Sequence, residues 1–415
     1  MNYGEINDEI VRVERITMKA GKEELLTRKV WIWSARNNGP IAAKFILING
    51  GDVIGFIDNS EDIQGELVLN IPVWRPEDVY KKITDEEIVL CCCNEKNNKS
   101  IVDQLAEHNI KNNVRELDLW LFDGIQQQFG GFLEEGYEPR MVSKCCSEMD
   151  FSQDYFKRIS SELSHQINDR LHRKTWEFVY IIKALEDHGL LREGKTGIGF
   201  AVGEEPLPSY FASKGVAVLA TDLGMEADTA KAWAETSENA LGDVNKLYKE
   251  SIVSREVFER NVKYMDLDMN HIPDDIGTFD FCWSSCAIEH VGGLNQSKQF
   301  LKNMIKVLKP GGIAVHTTEF NLWSNDETEE YGYQVIYRRK DLEEIQEWLL
   351  SHGCEMELSF KRSRGSVDMY LPMPPYPSED KRHHLNLLVG MVKKFASTSF
   401  GLIIKKKDKN VREEI

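Results

Sequence analysis

The feature that most constrains the fold is a glycine-spaced turn near the middle of the chain. Gly197, Gly199 and Gly203 come at the end of a short apolar segment, and Pro206 suits the first turn of a following helix. A strand, a glycine turn and a helix in this order favour a doubly wound α/β sheet, in which ligands bind beyond the carboxyl ends of the strands. A plain tight turn is the alternative interpretation of these glycines.

Alternating apolar segments predict the rest of that sheet. Seven strands are predicted, each bounded by glycine or polar residues: Thr196 to Ala201, Val216 to Asp222, Val262 to Asp268, Phe279 to Ser284, Gly312 to Glu319, Cys354 to Phe360 and Thr398 to Lys405. We therefore expect a seven-stranded Rossmann-like domain over residues 191–407, followed by a tail at 408–415.

A second alternation precedes this one. Its predicted strands are Val30 to Trp33, Val53 to Ile57, Ile88 to Cys92 and Val114 to Leu121. They predict a small Rossmann-like α/β domain over residues 29–135, after a polar extension at 1–28. Residues 136–190 carry apolar side chains at helical spacing and are predicted to form a helical linker. The predicted fold class is therefore α/β, with two doubly wound domains joined by helices.

Charge and composition narrow the partners. The chain has 51 basic and 68 acidic residues, a net charge of −17, which disfavours binding to nucleic acid. No apolar stretch reaches the roughly 20 residues that span a bilayer, so no membrane partner and a cytoplasmic location are expected. The eight cysteines lack zinc-site spacing. The segment Asp266 to Asn270 is rich in oxygen ligands, but Mg²⁺ needs several convergent oxygens and strand alternation sends neighbouring side chains to opposite faces, so no metal is predicted.

Three segments carry a resemblance to a known family. Asp222 ends the strand after the glycine turn, about 20 residues further on, where a carboxylate can accept both hydroxyls of a ribose. Phe279 to His290 is an apolar strand that ends in a Glu-His pair, and residues 308–312 read Leu-Lys-Pro-Gly-Gly. In this order and spacing the segments resemble the class I S-adenosylmethionine-dependent methyltransferase family. The resemblance covers the C-terminal half and implies S-adenosylmethionine as cofactor.

The resemblance also implies a set of cofactor-binding residues. It places the three glycines beside the methionine moiety, Asp222 on the ribose hydroxyls, and a strand end beside the adenine. The complete implied set is Gly197, Gly199, Gly203, Glu204, Asp222, Asp268, Met269 and Ser284. The family's acidic residue before the first glycine is replaced by Lys195-Thr196, so Glu204 or Glu205 is the candidate partner of the cofactor ammonium group. Turn geometry, a helix N-cap for Asp222 and a solvated strand end remain alternative interpretations.

Transfer to a hydroxyl acceptor calls for a general base with a pKa near neutral. His290, directly after the fourth strand, is the first candidate, with its neighbour Glu289. His316 and Glu319, on or near the end of the fifth strand, are further candidates. A structural histidine is the alternative. Arg173, Lys174 and Trp176 could cap the cofactor, although a packing helix is the favoured interpretation.

Aromatic side chains in two segments are expected to form the acceptor pocket. Trp323 lies in the loop after the fifth strand, and Tyr370 and Tyr376 precede a predicted helix with His383 and His384. Aromatic rings with polar partners suit sugars and other small polar molecules. The expected acceptor is therefore a small molecule, with a hydroxyl of a saccharide or of a sugar nucleotide as the favoured class.

The N-terminal domain resembles a nucleotide-binding-like module of bacterial sugar-modifying enzymes, but its glycine turn is reduced to Ser34 to Gly39. Two other functions stay open at this point. One is a nicotinamide-dependent sugar-nucleotide oxidoreductase or epimerase, and the other is a non-catalytic module that binds S-adenosylmethionine. The sequence also leaves the oligomeric state open, with a homo-oligomer as an alternative to a monomer.

Overall fold

The computed structural model describes ten segments of the chain, namely residues 19–36, 38–93, 95–117, 130–163, 170–224, 242–332, 334–372, 376, 382–389 and 395–408. The chain divides into two compact units. The first comprises Met1–Gly124 with Met373–Asp380, and the second comprises Ile125–Pro372 with Lys381–Ile415.

The first unit is built on a six-stranded sheet. Its strands are β1 (Lys29–Trp33), β2 (Asp52–Ile57), β3 (Leu67–Val68), β4 (Ile71–Trp74), β5 (Ile88–Cys91) and β6 (Val114–Glu116), in the order β3-β4-β2-β1-β5-β6. All neighbours pair in parallel except β3 and β4. The described helices are α1 (Lys22–Thr27), α2 (Asn38–Ile48), α3 (Pro76–Val79) and α4 (Glu95–Glu107). Strand β5 is buried along its whole length, as expected for a parallel strand covered on both faces.

Helix α1 corrects part of the predicted N-terminal extension. Leu25 is fully buried, and the guanidinium of Arg115 on β6 donates to both carboxylate oxygens of Glu24 at 2.7 and 3.0 Å. Residues 22–27 are therefore part of the first unit, because their apolar and charged side chains both have partners in it. Residues 1–18 of the predicted extension lie outside the described residues.

The second unit contains a larger mixed sheet. Among the described residues it has ten strands: β8 (Ser143–Cys145), β9 (Thr196–Gly199), β10 (Ala217–Asp222), β11 (Val262–Asp266), β12 (Phe279–Ser285), β13 (Leu308–Asn321), β14 (Cys354–Glu355), β15 (Leu358–Ser359), β17 (Asn386–Val389) and β18 (Phe395–Lys406), with β7 (Glu134–Glu135) and β16 (Lys361–Arg362) forming a separate pair. The main order is β11-β10-β9-β12-β13-β18-β8-β15, and β14 and β17 also pair with β18.

The strands from β11 to β13 run parallel, whereas β18 is antiparallel to β13. The described helices of this unit are α5 (Glu148–Phe151), α6 (Asp154–Glu162), α7 (Arg173–Asp187), α8 (Leu207–Ser213), α9 (Arg255–Asn261), α10 (Leu294–Asn303) and α11 (Arg339–Ser351). The α/β fold class is thus observed, and the parallel strands β9 to β12 bring four carboxyl ends to one edge of the sheet.

The predicted count of seven strands differs from the structure for identifiable reasons. The predicted sixth strand, Cys354 to Phe360, is two strands: β14 pairs with β18, and β15 pairs with β8. Strand β8 comes from the predicted linker at 136–190, and it pairs with β18. Helix α7 from the same segment packs on the sheet through buried residues such as Tyr180, whose ring fills the space beside Gly401. The linker segment is therefore a structural part of the second unit.

The helix predicted to contain His383 and His384 is not observed at these two residues. His384 forms an isolated parallel bridge with His172, and the chain continues into β17.

Candidate functional site

A cavity of about 840 Å³ lies in the second unit at the carboxyl ends of β9 to β12. The loop after β9 contributes residues 201–206 to its wall, and Asp222 at the end of β10 contributes a carboxylate. Residues 267–270 after β11, together with residues 285–287 and 290–292 around the end of β12, complete this side. Lys174 and Phe178 of α7 face the cavity from another element. The parallel strands thus place these loops around one space, as doubly wound sheets do.

Hydrogen bonds tie the loop after β9 to the end of β10. Ala201 and Gly203 have φ angles of 48° and 52°, so the backbone turns through the left-handed region twice. The backbone N–H of Gly203 donates to Oδ2 of Asp222 at 3.0 Å, and the N–H of Leu223 donates to Oδ1 at 2.9 Å. Asp222 is only 3 % exposed. Its carboxylate therefore holds the loop in the shape that lines the cavity.

The first two glycines of the turn have a different role from the third. A Cβ added at Gly197 would lie 2.4 Å from the ring of Phe281, and one at Gly199 would lie 2.3 Å from Cζ2 of Trp283. Both glycines lie within β9, and neither lines the cavity. In place of the predicted contact with the methionine moiety, they make room for aromatic side chains of the neighbouring strand β12.

Glu205 is a buried carboxyl group at the cavity. The side chain is 9 % exposed, and Oε1 accepts a hydrogen bond from the indole N–H of Trp283 at 2.6 Å. Burial raises the pKa of Glu205 to about 8, because a charge there would lose most of its hydration. This residue is therefore a neutral acid at pH 7. Its neighbour Glu204 also lines the cavity and pairs with Lys246 at 3.1 Å.

A buried charged cluster adjoins the cavity on the side of α7. Glu177, which is fully buried, accepts hydrogen bonds from the hydroxyls of Ser285 at 3.1 Å and Ser399 at 2.6 Å. Arg173 and Lys174 each contact a different oxygen of its carboxylate at 3.0 Å. Against the cost of burial, these two cations and the hydrogen bonds lower the pKa of Glu177 to about 2. The network fixes Lys174 in the cavity wall.

Cys286, Glu289 and Glu319 could in principle hold a metal ion, because one ligand atom of each lies within 4.8 Å of the others. Arg173 already places a cation there, since its guanidinium contacts Oε1 of Glu319 at 2.7 Å and donates to Sγ of Cys286 at 3.4 Å. The cluster is therefore explained by an internal ion pair. The absence of a metal stays a prediction.

The four catalytic candidates occupy different environments. His290 lines the cavity. Glu289, the preceding residue, is fully buried, and its Oε2 accepts a hydrogen bond from the hydroxyl of Thr318 at 3.2 Å. Burial raises the pKa of Glu289 to about 8. Glu319 forms an ion pair with Arg173 and accepts a hydrogen bond from the hydroxyl of Ser397. Neither Glu289 nor Glu319 is among the residues that line the cavity.

His316 belongs to the core. It is fully buried, its Nδ1 is hydrogen-bonded to the hydroxyl of Ser284 at 2.8 Å, and the ring of Phe300 packs against it edge-on. Burial lowers the pKa of His316 to about 3, so the ring stays neutral. Ser284 is equally buried. Both residues lie on neighbouring strands below the cavity, which corrects their prediction as site residues.

The structure separates the predicted acceptor residues from the cavity. Trp323 and Tyr370 are half-buried in the second unit, and neither is among the residues that line it. Tyr376 belongs to the first unit. The cavity lining instead gives three residues to which the sequence assigns no firm role: Lys174, Glu205 and Cys286. A cysteine with a φ of 48° directly after a strand is a local signal of a special site, but the angle is visible only in the structure.

Comparison with known families identifies the domain around the cavity. Residues 200–316 match the family model of the methyltransferase domain. This match spans the loop after β9, the end of β10 and the end of β12, which are the elements that line the cavity. The second unit therefore has a Rossmann-like sheet and contains residues that match a methyltransferase domain, as predicted for this part of the chain. Its cofactor is S-adenosylmethionine, as predicted. A search of curated proteins gives no match.

Solved methyltransferase structures resemble the chain over part of its length. A putative sarcosine dimethylglycine methyltransferase from Galdieria sulphuraria is 14% identical, with 63% of this chain and 98% of that chain covered and a TM-score of 0.35. A methyltransferase from Aquifex aeolicus dependent on S-adenosylmethionine is 16% identical, with 54% and 88% covered and a TM-score of 0.31. Magnesium protoporphyrin IX methyltransferase from Synechocystis is 10% identical, with 63% and 100% covered and a TM-score of 0.33.

The residues that line the cavity fit S-adenosylmethionine. Gly203, Asp222, Asp268 and Met269, all implied by the resemblance, line it together with Glu204. Carboxylates suit a ligand with ribose hydroxyls and positive charge, because they accept hydrogen bonds and oppose the charge.

In the part of the chain that the structure describes, no helix is both long and apolar enough to cross a membrane.

Proposed function

We propose that the second unit transfers the methyl group of S-adenosylmethionine to a hydroxyl group of a small polar acceptor, with a saccharide or sugar nucleotide as the expected class. One observation supports this most directly. His290 lines the same cavity as Gly203 and Asp222, so a nitrogen base shares one space with the loop of the methyltransferase domain. The predicted cytoplasmic location and the resemblance of the first unit to a module of sugar-modifying enzymes remain part of this proposal.

The size of the cavity favours a small acceptor. A volume of about 840 Å³ falls within the roughly 300–1,000 Å³ of small-molecule sites. A nucleic acid is disfavoured for a separate reason, since a chain with a net charge of −17 repels a polyphosphate. Lys174, Ser285 and Cys286 are polar residues in the lining of the cavity. These groups suit an acceptor with several hydroxyls.

Bound S-adenosylmethionine supplies an activated methyl group. The chain has to hold the acceptor in line, keep water out and accept one proton. The methyl group would pass from sulfur to the acceptor oxygen, leaving a thioether, and a ring nitrogen of His290 would accept the hydroxyl proton. Asp222 keeps the loop after β9 in place through its bonds to Gly203 and Leu223. Glu177 keeps Lys174 in the wall in the same way.

The test is turnover with a panel of acceptors. The purified chain is incubated with S-adenosylmethionine labelled in the methyl group, together with monosaccharides, sugar nucleotides, and matched sugar amines and sugar acids. Label recovered as an O-methyl ether supports the proposal, and label recovered only on nitrogen or on a carboxylate overturns the hydroxyl assignment. Binding of the cofactor without turnover across the panel would favour the non-catalytic module. A melting temperature raised by NAD and not by S-adenosylmethionine would favour the oxidoreductase.

A further inference from the structure

Glu205 combines three properties that no structural role requires together. It lines the cavity, it is 9 % exposed, and one of its oxygens is fixed by the indole of Trp283 at 2.6 Å. The second oxygen, Oε2, has no hydrogen-bond partner in the described part of the chain. Both oxygens of a buried carboxyl group normally form hydrogen bonds, because an oxygen without a partner loses its hydration and gains no interaction in exchange. The open oxygen is therefore available to a ligand in the cavity.

The packing around β12 holds this carboxyl group in position. Trp283 is fully buried, and its ring fills the space beside Gly199. The ring of Phe211 on α8 packs edge-on against the same indole, with centroids 4.9 Å apart. Trp283 therefore has little room to turn, and its N–H fixes the direction in which Glu205 presents its carboxyl group. In this arrangement Trp283 is a positioning residue.

The charged groups that face Glu205 act on its pKa in opposite directions. From α7, Lys174 favours the ionised carboxylate, whereas Glu177 disfavours it, and Asp222 at the end of β10 also disfavours it. The indole N–H of Trp283 on β12 favours the ionised form through its hydrogen bond. Burial outweighs these effects, so the pKa of Glu205 stands at about 8 before a ligand binds. A positive charge brought by a ligand would reverse that balance.

We infer that Glu205 is the counter-ion for a positive charge of the bound cofactor, and that binding of the cofactor releases the proton from its carboxyl group. This inference rests on the proposed function, because it requires S-adenosylmethionine to occupy this cavity. The ligand chemistry is a cationic group, and S-adenosylmethionine carries two, the ammonium of its amino acid and the sulfonium. The inference assigns to Glu205 the place that the sequence analysis left open between Glu204 and Glu205.

Proton linkage gives the inference a readout that does not depend on turnover. At pH 7 a carboxyl group with a pKa of about 8 is about nine-tenths protonated, so ionisation on binding releases nearly one proton. Affinity for the cationic ligand then rises with pH up to about 8, by as much as roughly tenfold per unit while the bound form is ionised. Calorimetry in buffers of different ionisation enthalpy measures this proton count directly.

Three ligands separate the two sources of positive charge. S-adenosylmethionine carries ammonium and sulfonium, S-adenosylhomocysteine carries ammonium alone, and 5′-methylthioadenosine carries neither. Proton release with the first two ligands, and not with the third, supports the inference with the ammonium as the source. Release with S-adenosylmethionine alone supports it with the sulfonium as the source. Release with all three, or binding without release, overturns it. Failure of all three to bind would instead contradict the proposed function.

Two variants test the residue itself. Glu205→Gln keeps the shape and the acceptor for Trp283 but has no proton to lose, so proton release should disappear and affinity for S-adenosylmethionine should fall at least tenfold at pH 8. Glu259→Gln is the control, because Glu259 is an exposed carboxylate of the same unit and does not line the cavity. Trp283→Phe should leave proton release detectable but weaken binding. Unchanged proton release in Glu205→Gln, with a normal melting temperature, would overturn the assignment.

Discussion

The ring of Trp283 occupies the space that any side chain at position 199 would need, since a Cβ on Gly199 would lie 2.3 Å from Cζ2 of that ring. The same indole donates to Glu205 in the cavity wall. Glycine at this position therefore acts on the site through a packed aromatic ring and one hydrogen bond. A contact of the backbone with the ligand is not needed to explain it.

Gly199→Ala should destabilise the second unit. The added methyl would meet Trp283 and also Cγ1 of Val202 at 2.6 Å, and overpacking of this kind costs roughly 1–3 kcal/mol. Denaturant unfolding should show the loss. Gly131→Ala is the control, because an added Cβ there meets no atom within 4 Å. Equal stability of the wild type and Gly199→Ala would show that β9 and β12 can separate at no cost.

Asp222→Ala should weaken the binding of S-adenosylhomocysteine. The carboxylate bonds the N–H groups of Gly203 and Leu223, and hydrogen bonds to charged groups are worth roughly 1.5–3 kcal/mol each. A tenfold or greater rise in Kd is expected by calorimetry, with Asp222→Asn intermediate because it keeps one oxygen acceptor. Asp274→Asn, an exposed acid of the same unit, serves as control. An unchanged Kd would remove Asp222 from the cofactor site.

Glu177 should stabilise the protein in a pH-dependent way. Its pKa is lowered from an ordinary value of 4.5 to about 2, so its contribution is fully present above about pH 4.5 and is lost as the pH falls towards 2. Glu177→Ala should cost roughly 3–5 kcal/mol, because Arg173 and Lys174 would lose a buried partner. The free energy of unfolding, measured from pH 6 to pH 2, should fall less steeply with falling pH in Glu177→Gln than in the wild type. The same pH dependence in both proteins would show that other groups cause the loss of stability in acid.

His290→Asn should separate chemistry from binding. If His290 takes the hydroxyl proton, the variant should bind the cofactor normally while kcat falls by about 10² to 10⁴. His352→Asn, at an exposed helix end, is the control. Full turnover of His290→Asn would leave the base unidentified, since Glu319 and His316 do not line the cavity.

The sequence predicted the central part of the fold because local signals suffice there. Strands β9 to β13 coincide closely with the predicted apolar segments, since parallel central strands are almost wholly apolar. Strands β8 and β17 were not predicted, because they have only three and four residues. Such short segments have no period long enough to detect.

The site residues that could be predicted from the sequence are those at or directly after the end of a strand. Gly203, Asp222, Asp268 and His290 follow the strands whose ends meet, and all four line the cavity. Lys174 belongs to a helix for which packing was favoured over capping of the cofactor, and the fold brings it to the cavity wall. His316 shows the opposite case. It lies within β13, where successive side chains point to opposite faces of the sheet. The motif before this strand does not fix which face the side chain of His316 takes.

The pairing of β8 with β18 has a consequence for synthesis of the chain. Cys145 lies opposite Phe400, so a strand made early waits for one made about 250 residues later. Until β18 has left the ribosome, β8 lacks one of its two neighbours and one edge of β13 is open, and loop closure over that distance is slow. The second unit should therefore complete its sheet only after β18 has emerged. A fragment that begins at residue 191 lacks β8 and α7, and it should be recovered as aggregate.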